Sequence, residues 1–209
     1  MNQKDLKRRM SPEVREAEIV HGAVAFFAEL GFEGQTRELA SRLGITQPLL
    51  YRYFPTKDAL VERVYQEVFM SRWNPFWEDL IKDRRRALKD RLSEFYRDYS
   101  RVILTYEWVR LFMFSGLKGL DFNTRYLDLL KQRVFELIIR ELRHEYSREA
   151  IETAPVTQLE LEAIWGLHAA IFYLGVRKFI YKMAVDDIDR VVEMELTVFM
   201  GGISSTLRP

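Results

Sequence analysis

A chain of 209 residues, 48% of them hydrophobic, can bury a sizeable core in one or two domains. It has no cysteine, which excludes disulfides and thiolate metal sites, and its formal net charge of +1 excludes a nonspecific polycation, so any DNA affinity must come from local placement. The opening segment MNQKDLKRRM is basic without the apolar run of a signal peptide, and no apolar run approaches membrane-spanning length; the expectation is a cytoplasmic protein with no membrane partner.

Lys4, Lys7, Arg8 and Arg9 form a local basic arm, read either as a solvated terminus or as a phosphate or minor-groove contact. Ser11-Pro12-Glu13 then signals a helix start: an N-cap, a proline at the first helical position and an acid in the first turn. This helix is expected to reach about Leu30, with Ile19, Ala23, Phe26, Phe27 and Leu30 as its buried stripe. A second helix from Thr36 would bury Leu39, Ala40 and Leu43, with small Ala40 where a crossing helix comes close. Gly44 supplies the left-handed residue that ends it, and Ile45 fills the corner. Thr46 caps a third helix, and Pro48 is tolerated in its first turn because its missing N–H would have no helical partner there. Leu50 and Phe54 face inward. Gln47, Pro48, Leu49, Tyr51, Arg52 and Tyr53 are left for the flanks and the open side, and such groups read base edges or hold phosphates.

Thr56 caps a fourth helix carrying Leu60, Val64 and Val68, which Pro75 limits or kinks. Further helices are predicted at about 76–104, 106–114, 122–146, 157–182 and 187–203, with a break at Thr153-Ala154-Pro155. No strand-like alternation competes with them. Arg84, Arg85 and Arg86 read as a solvated helix turn in preference to a phosphate site. Thr157 and Glu160 match a capping box, and the helix behind them is apolar almost all round, so it needs cover on two sides. Asp186 is expected to cap the last helix, which is also broadly apolar.

The stretch TRELASRLGITQPLLYRYFPTKDAL, with Ala25 to Phe32 before it and the pattern Tyr51, Phe54, Lys57, Leu60 within it, resembles the DNA-binding half of tetracycline-repressor (TetR) family regulators. The resemblance covers roughly residues 12–62. It implies an all-α protein: an N-terminal three-helix helix-turn-helix DNA-binding domain over 1–62 and a helical effector-binding and dimerisation domain over 63–209, dividing within the fourth helix. By the same resemblance Arg37, Gln47, Pro48, Leu49 and Arg52 fall at base-reading positions, and Thr36, Tyr51, Tyr53 and Lys57 at phosphate-binding ones. The family pairs its last two helices across a homodimer, which makes Ile171 and Val198 candidate interface residues.

The implied function is a repressor that binds a near-palindromic double-stranded DNA operator as a homodimer and is released by a small apolar effector. An activator or protein-controlled regulator of the same build is the alternative, and a helical small-molecule binder without DNA is a further one. The middle of the chain is dense in aromatic residues, each readable as core or as pocket. Trp108, Phe112, Tyr126, Trp165, His168 and Phe172 are the candidate effector lining. His21 and His144 lie on different helices without an acidic partner at ligand spacing, so neither a metal nor another cofactor is expected. Nor is an enzyme: Gly116-Leu117-Lys118-Gly119 lacks the strand and hydroxyl residue of a phosphate loop, there is no nucleophile elbow, and Asp186-Asp187 sits at a helix start where the dipole explains it.

Overall fold

A computed structural model describes residues 11–185 and 187–207, and these form helices joined by turns, with no strand among them. The chain divides into two compact units, Met1–Ser71 and Arg72–Pro209. The basic arm of Lys4 to Arg9 and the expected cap Asp186 lie outside the described residues.

In the first unit α1 (Pro12–Leu30) starts as its sequence dictates, with the Ser11 side chain accepting from the Val14 N–H. Ile19, Ala23, Phe26 and Phe27 are buried with Val20, Val24 and Ala28. Leu30 is 40% exposed and leaves the expected stripe, because Gly31 turns the chain at positive φ and Phe32 fills that end of the core. A β-carbon on Gly22 would lie 2.3 Å from Leu43 Cδ2, so glycine is what lets α1 and the end of α2 (Thr36–Arg42) come together. Gly44, at φ 63°, closes α2 in a Schellman turn, with Gly44 N–H to Ser41 O and Ile45 N–H to Ala40 O. Thr46 caps α3 (Gln47–Tyr53) and Thr56 caps α4 (Lys57–Tyr65), each through its hydroxyl. A π-helical turn, Gln66–Met70, continues α4, and the division between the units comes just after it, later than residue 62.

The second unit contains α5 (Phe76–Lys82), α6 (Leu88–Ile103), α7 (Tyr106–Lys118), α8 (Phe122–Leu130), α9 (Glu136–Glu145), α10 (Gln158–Phe179) and α11 (Ile188–Gly202). The single helix expected over 76–104 is two, broken at Asp83 to Ala87. A buried carboxylate explains the break. Glu141 of α9 accepts Nε and Nη2 of Arg84 at 3.0 and 2.9 Å and Nη1 of buried Arg91 at 2.9 Å, while Arg91 also donates to the Ile81 carbonyl at the end of α5. The Arg84 to Arg86 run is exposed as expected, but Arg84, its side chain half in solvent, is also tied to Glu141. Helix α7 runs past the expected 114 to Gly119, whose φ of 67° ends it in a second Schellman turn. A π-helical turn, Lys131–Phe135, joins α8 to α9, so the expected span 122–146 is continuous but not uniform.

The capping box of α10 is present in full. Its Glu160 is wholly buried and pairs with buried Arg143 at 2.6 Å, and Arg143 also donates to the Ala154 carbonyl, so one guanidinium holds both the break at 153–155 and the start of α10. Helix α10 is the exception to the expectation about apolar runs: by length and composition it could cross a bilayer. Half of that window is buried inside the protein, and it carries buried Glu160 and His168, as a core helix does. A β-carbon on Gly175 would meet Val109 Cγ2 at 2.8 Å, which sets the close crossing of α10 and α7. Asp187 caps α11, accepting from the Arg190 N–H.

Candidate nucleic-acid interface and aromatic cluster

The turn between α2 and α3 is held from both sides, by the Schellman glycine and by the Thr46 cap, so the two helices keep one relative geometry. Arg37, Pro48 and Arg52 are exposed, Tyr51 is 37% exposed, and Gln47, Leu49, Tyr53 and Lys57 are partly buried. Arg37 has no described hydrogen bond or ion pair, which leaves its guanidinium to solvent or a ligand. Arg42 on the same helix is spent inside the unit: it pairs with Glu29 at 2.8 Å and Glu38 at 2.9 Å, and its guanidinium lies over the Phe26 ring. Those hydrogen bonds to Glu29 and Glu38 raise its pKa above the usual arginine value. Helix α2 therefore presents one free arginine and one fixed one.

Thr36 departs from its expected role. It is only 8% exposed, and its hydroxyl is engaged by two side chains: Gln47 Nε2 donates to Oγ1 at 3.1 Å, and the Tyr51 hydroxyl lies at 2.9 Å. A side chain so placed does not present its oxygen to a phosphate. Nothing in the local sequence signals this bridge, because the three residues are brought together only when α3 crosses α2.

In the second unit the six expected lining residues are neighbours in one aromatic cluster. Trp108 stacks on Phe112 at 4.8 Å and meets Tyr126 and Phe172 edge-on at 5.2 and 5.8 Å. His168 joins Trp165 at 5.7 Å and Phe172 at 6.4 Å, and Phe135 and Tyr99, not among the six, close the cluster round it. Burial pushes the His168 pKa down to about 4, so the ring is neutral at pH 7, and its buried Nδ1 has no hydrogen-bond partner. Burial likewise raises the Tyr96 and Tyr99 phenols, which stay protonated. A separate surface cavity of about 490 Å³ opens between α5 and α6, lined by Phe76, Trp77, Asp98 and Arg101 among others.

A sequence model of the family described as bacterial regulatory proteins, tetR family, matches residues 19–64, the helices just described. Residues 19–64 therefore carry the DNA-binding domain of the TetR family. The tetracycline repressor protein class A from transposon 1721 of Escherichia coli is 29% identical over 92 residues, which span 40% of this chain but only 42% of that repressor. Likeness of fold extends further. A TetR family transcriptional regulator from Pseudomonas syringae covers 92% of this chain and 97% of its own at 19% identity, with a TM-score of 0.60. A TetR-like transcriptional regulator from a Rhodococcus species, also 19% identical, covers 93% and 100% with a TM-score of 0.66. The family model describes bacterial regulatory proteins, and its match in this chain is confined to the helix-turn-helix unit.

The two residues expected at a dimer surface part company. Ile171 is 0% exposed and sits in the core of its own unit, so it has no face left for a partner. Val198 is 66% exposed, beside half-exposed Met194 on α11, while Gly166, Ala169 and Tyr173 form the open side of α10. Helix α10 is apolar on every side, and only its neighbours decide which side is core.

Proposed function

We propose that the chain is a ligand-responsive repressor that binds a near-palindromic operator as a homodimer and is released by a small apolar inducer. One observation carries the reading: α2 and α3 are locked in a helix-turn-helix whose outward groups include a free arginine, Arg37, beside Pro48, Leu49 and Arg52. Arg37 and Gln47 read base edges, since guanine suits a bidentate arginine and adenine a glutamine. Pro48 gives an apolar contact such as a thymine methyl accepts, and Leu49 and Arg52 tune the preference. Tyr51, Tyr53 and Lys57 hold phosphates and fix register.

Two subunits joined through the open sides of α10 and α11 present two recognition helices to successive major grooves about one helical turn apart. Gly166 and Ala169 let the partner helix approach, and Tyr173, Met194 and Val198 supply apolar area. The inducer is received in the second unit by the cluster of Trp108, Phe112, Tyr126, Trp165, His168 and Phe172. Its body is apolar, because an unpaired charge there is costly, and neutral His168 offers it one hydrogen bond. The inducer shifts the population off DNA only as far as it binds the released conformation better. The regulator works in the cytoplasm, where its operator is.

The test starts from random duplex DNA selected on the purified protein. One near-palindromic sequence should be enriched and should bind far above random DNA at physiological salt; no enrichment would refute operator binding. A thermal-shift screen on the same protein should find apolar compounds that raise Tm and free the enriched duplex. If only polyanions do so, the apolar inducer is wrong.

A further inference from the structure

Thr36 sits at the start of α2 with its side chain turned inward, and its hydroxyl joins two residues of α3. A hydroxyl has one proton to donate and two lone pairs to accept with. One lone pair takes the N–H of Gln47, and the other side of the oxygen faces the Tyr51 hydroxyl. When Tyr51 donates its own proton outward to a phosphate oxygen, it can only accept from Thr36. The chain then has one polarity: Gln47 N–H to Thr36, Thr36 O–H to Tyr51, Tyr51 O–H to phosphate. Each donation strengthens the next. Gln47 is left with its Oε1 and its second N–H, the pair that matches the N6 amine and N7 of adenine.

We propose that Thr36 is a positioning residue for base reading, which fixes the Gln47 amide for adenine and couples it to phosphate contact at Tyr51. The proposal rests on the operator-binding reading above, with Gln47 at a base. It gives Thr36 a role other than direct phosphate contact, and it makes specificity depend on a residue that touches no DNA with its side chain.

The experiment uses the full chain and the duplex enriched from a random pool. Affinities are measured for that duplex, for each single base-pair change in it and for a scrambled duplex. Gln47→Ala should flatten the preference for one adenine by about tenfold, the scale of one bidentate contact. Thr36→Val should flatten the same position, and little else, while Thr36→Ser, which keeps the hydroxyl, should restore it. A Thr36→Val profile unchanged at that position, or weakened equally on enriched and scrambled duplexes, overturns the proposal. Failure of the pool to enrich any duplex overturns the operator reading instead, and the proposal with it. Should Thr36→Val not fold, the side-chain amide of Gln47 in the wild-type protein is decisive. Slowed N–H exchange supports the tie, and exchange as fast as that of exposed Gln132 overturns it.

Discussion

Replacing Arg37 with alanine is the sharpest probe of the DNA-reading surface, because α2 carries its own control. Arg37 is exposed and makes no described hydrogen bond or ion pair, so its removal should cost the folded protein almost nothing. A bidentate arginine on guanine accounts for about 1–3 kcal/mol of discrimination, or roughly 5- to 150-fold in affinity per half-site. In a homodimer on a palindrome both half-sites lose the contact, and distant sites add, so the full operator should lose roughly 2–6 kcal/mol. Random DNA, bound through phosphates, should lose little. Arg42→Ala should behave in the opposite way: it gives up ion pairs to the surface groups Glu29 and Glu38, a small loss of stability, and base preference should not move. Fluorescence anisotropy on the enriched duplex, a half-site duplex and a scrambled duplex separates these outcomes. Equal losses on all three duplexes with Arg37→Ala would show that the residue holds a phosphate, and the base-reading argument would fall.

Lys57→Ala should weaken binding to every duplex alike and lower the slope of log K against log salt by about one per subunit, as expected when one phosphate contact is lost; an unchanged slope would remove Lys57 from the interface. Val198→Asp should give a folded monomer by light scattering, because a charge buried between subunits is costly, whereas Ile171→Asp should unfold or aggregate since that side chain is wholly inside its own unit. A folded Val198→Asp dimer would move the interface elsewhere. His168 carries a pH signature whose sign follows from its burial. Its folded pKa of about 4 lies below the ordinary 6.5, so the unfolded chain binds a proton that the folded chain refuses, and stability should be full above about 6.5 and fall as pH drops towards 4. In Tm measured against pH, His168→Leu should lose that part of the slope; an identical slope would mean that the ring is accessible to protons in the fold.

The sequence alone determined whatever is settled within a few residues. The caps at Ser11, Thr46, Thr56 and Thr157, the left-handed Gly44 and the inward Leu39, Ala40, Leu50 and Phe54 were all legible, because a cap reaches three residues and a buried stripe repeats every three or four. So was the helix-turn-helix, whose whole geometry is local. The tertiary structure decided what depends on distant partners. The break before α6 comes from Glu141 meeting Arg84 and Arg91, 57 and 50 residues away in the chain, and no local window contains that pairing. Ile171 and Val198 look alike in sequence, but one lies in the core and the other on the surface. A helix that is apolar on every side carries no directional signal, so its neighbours choose the buried face. The Thr36 bridge was illegible for the same reason: a threonine at a helix start reads as a surface group until another helix covers its hydroxyl.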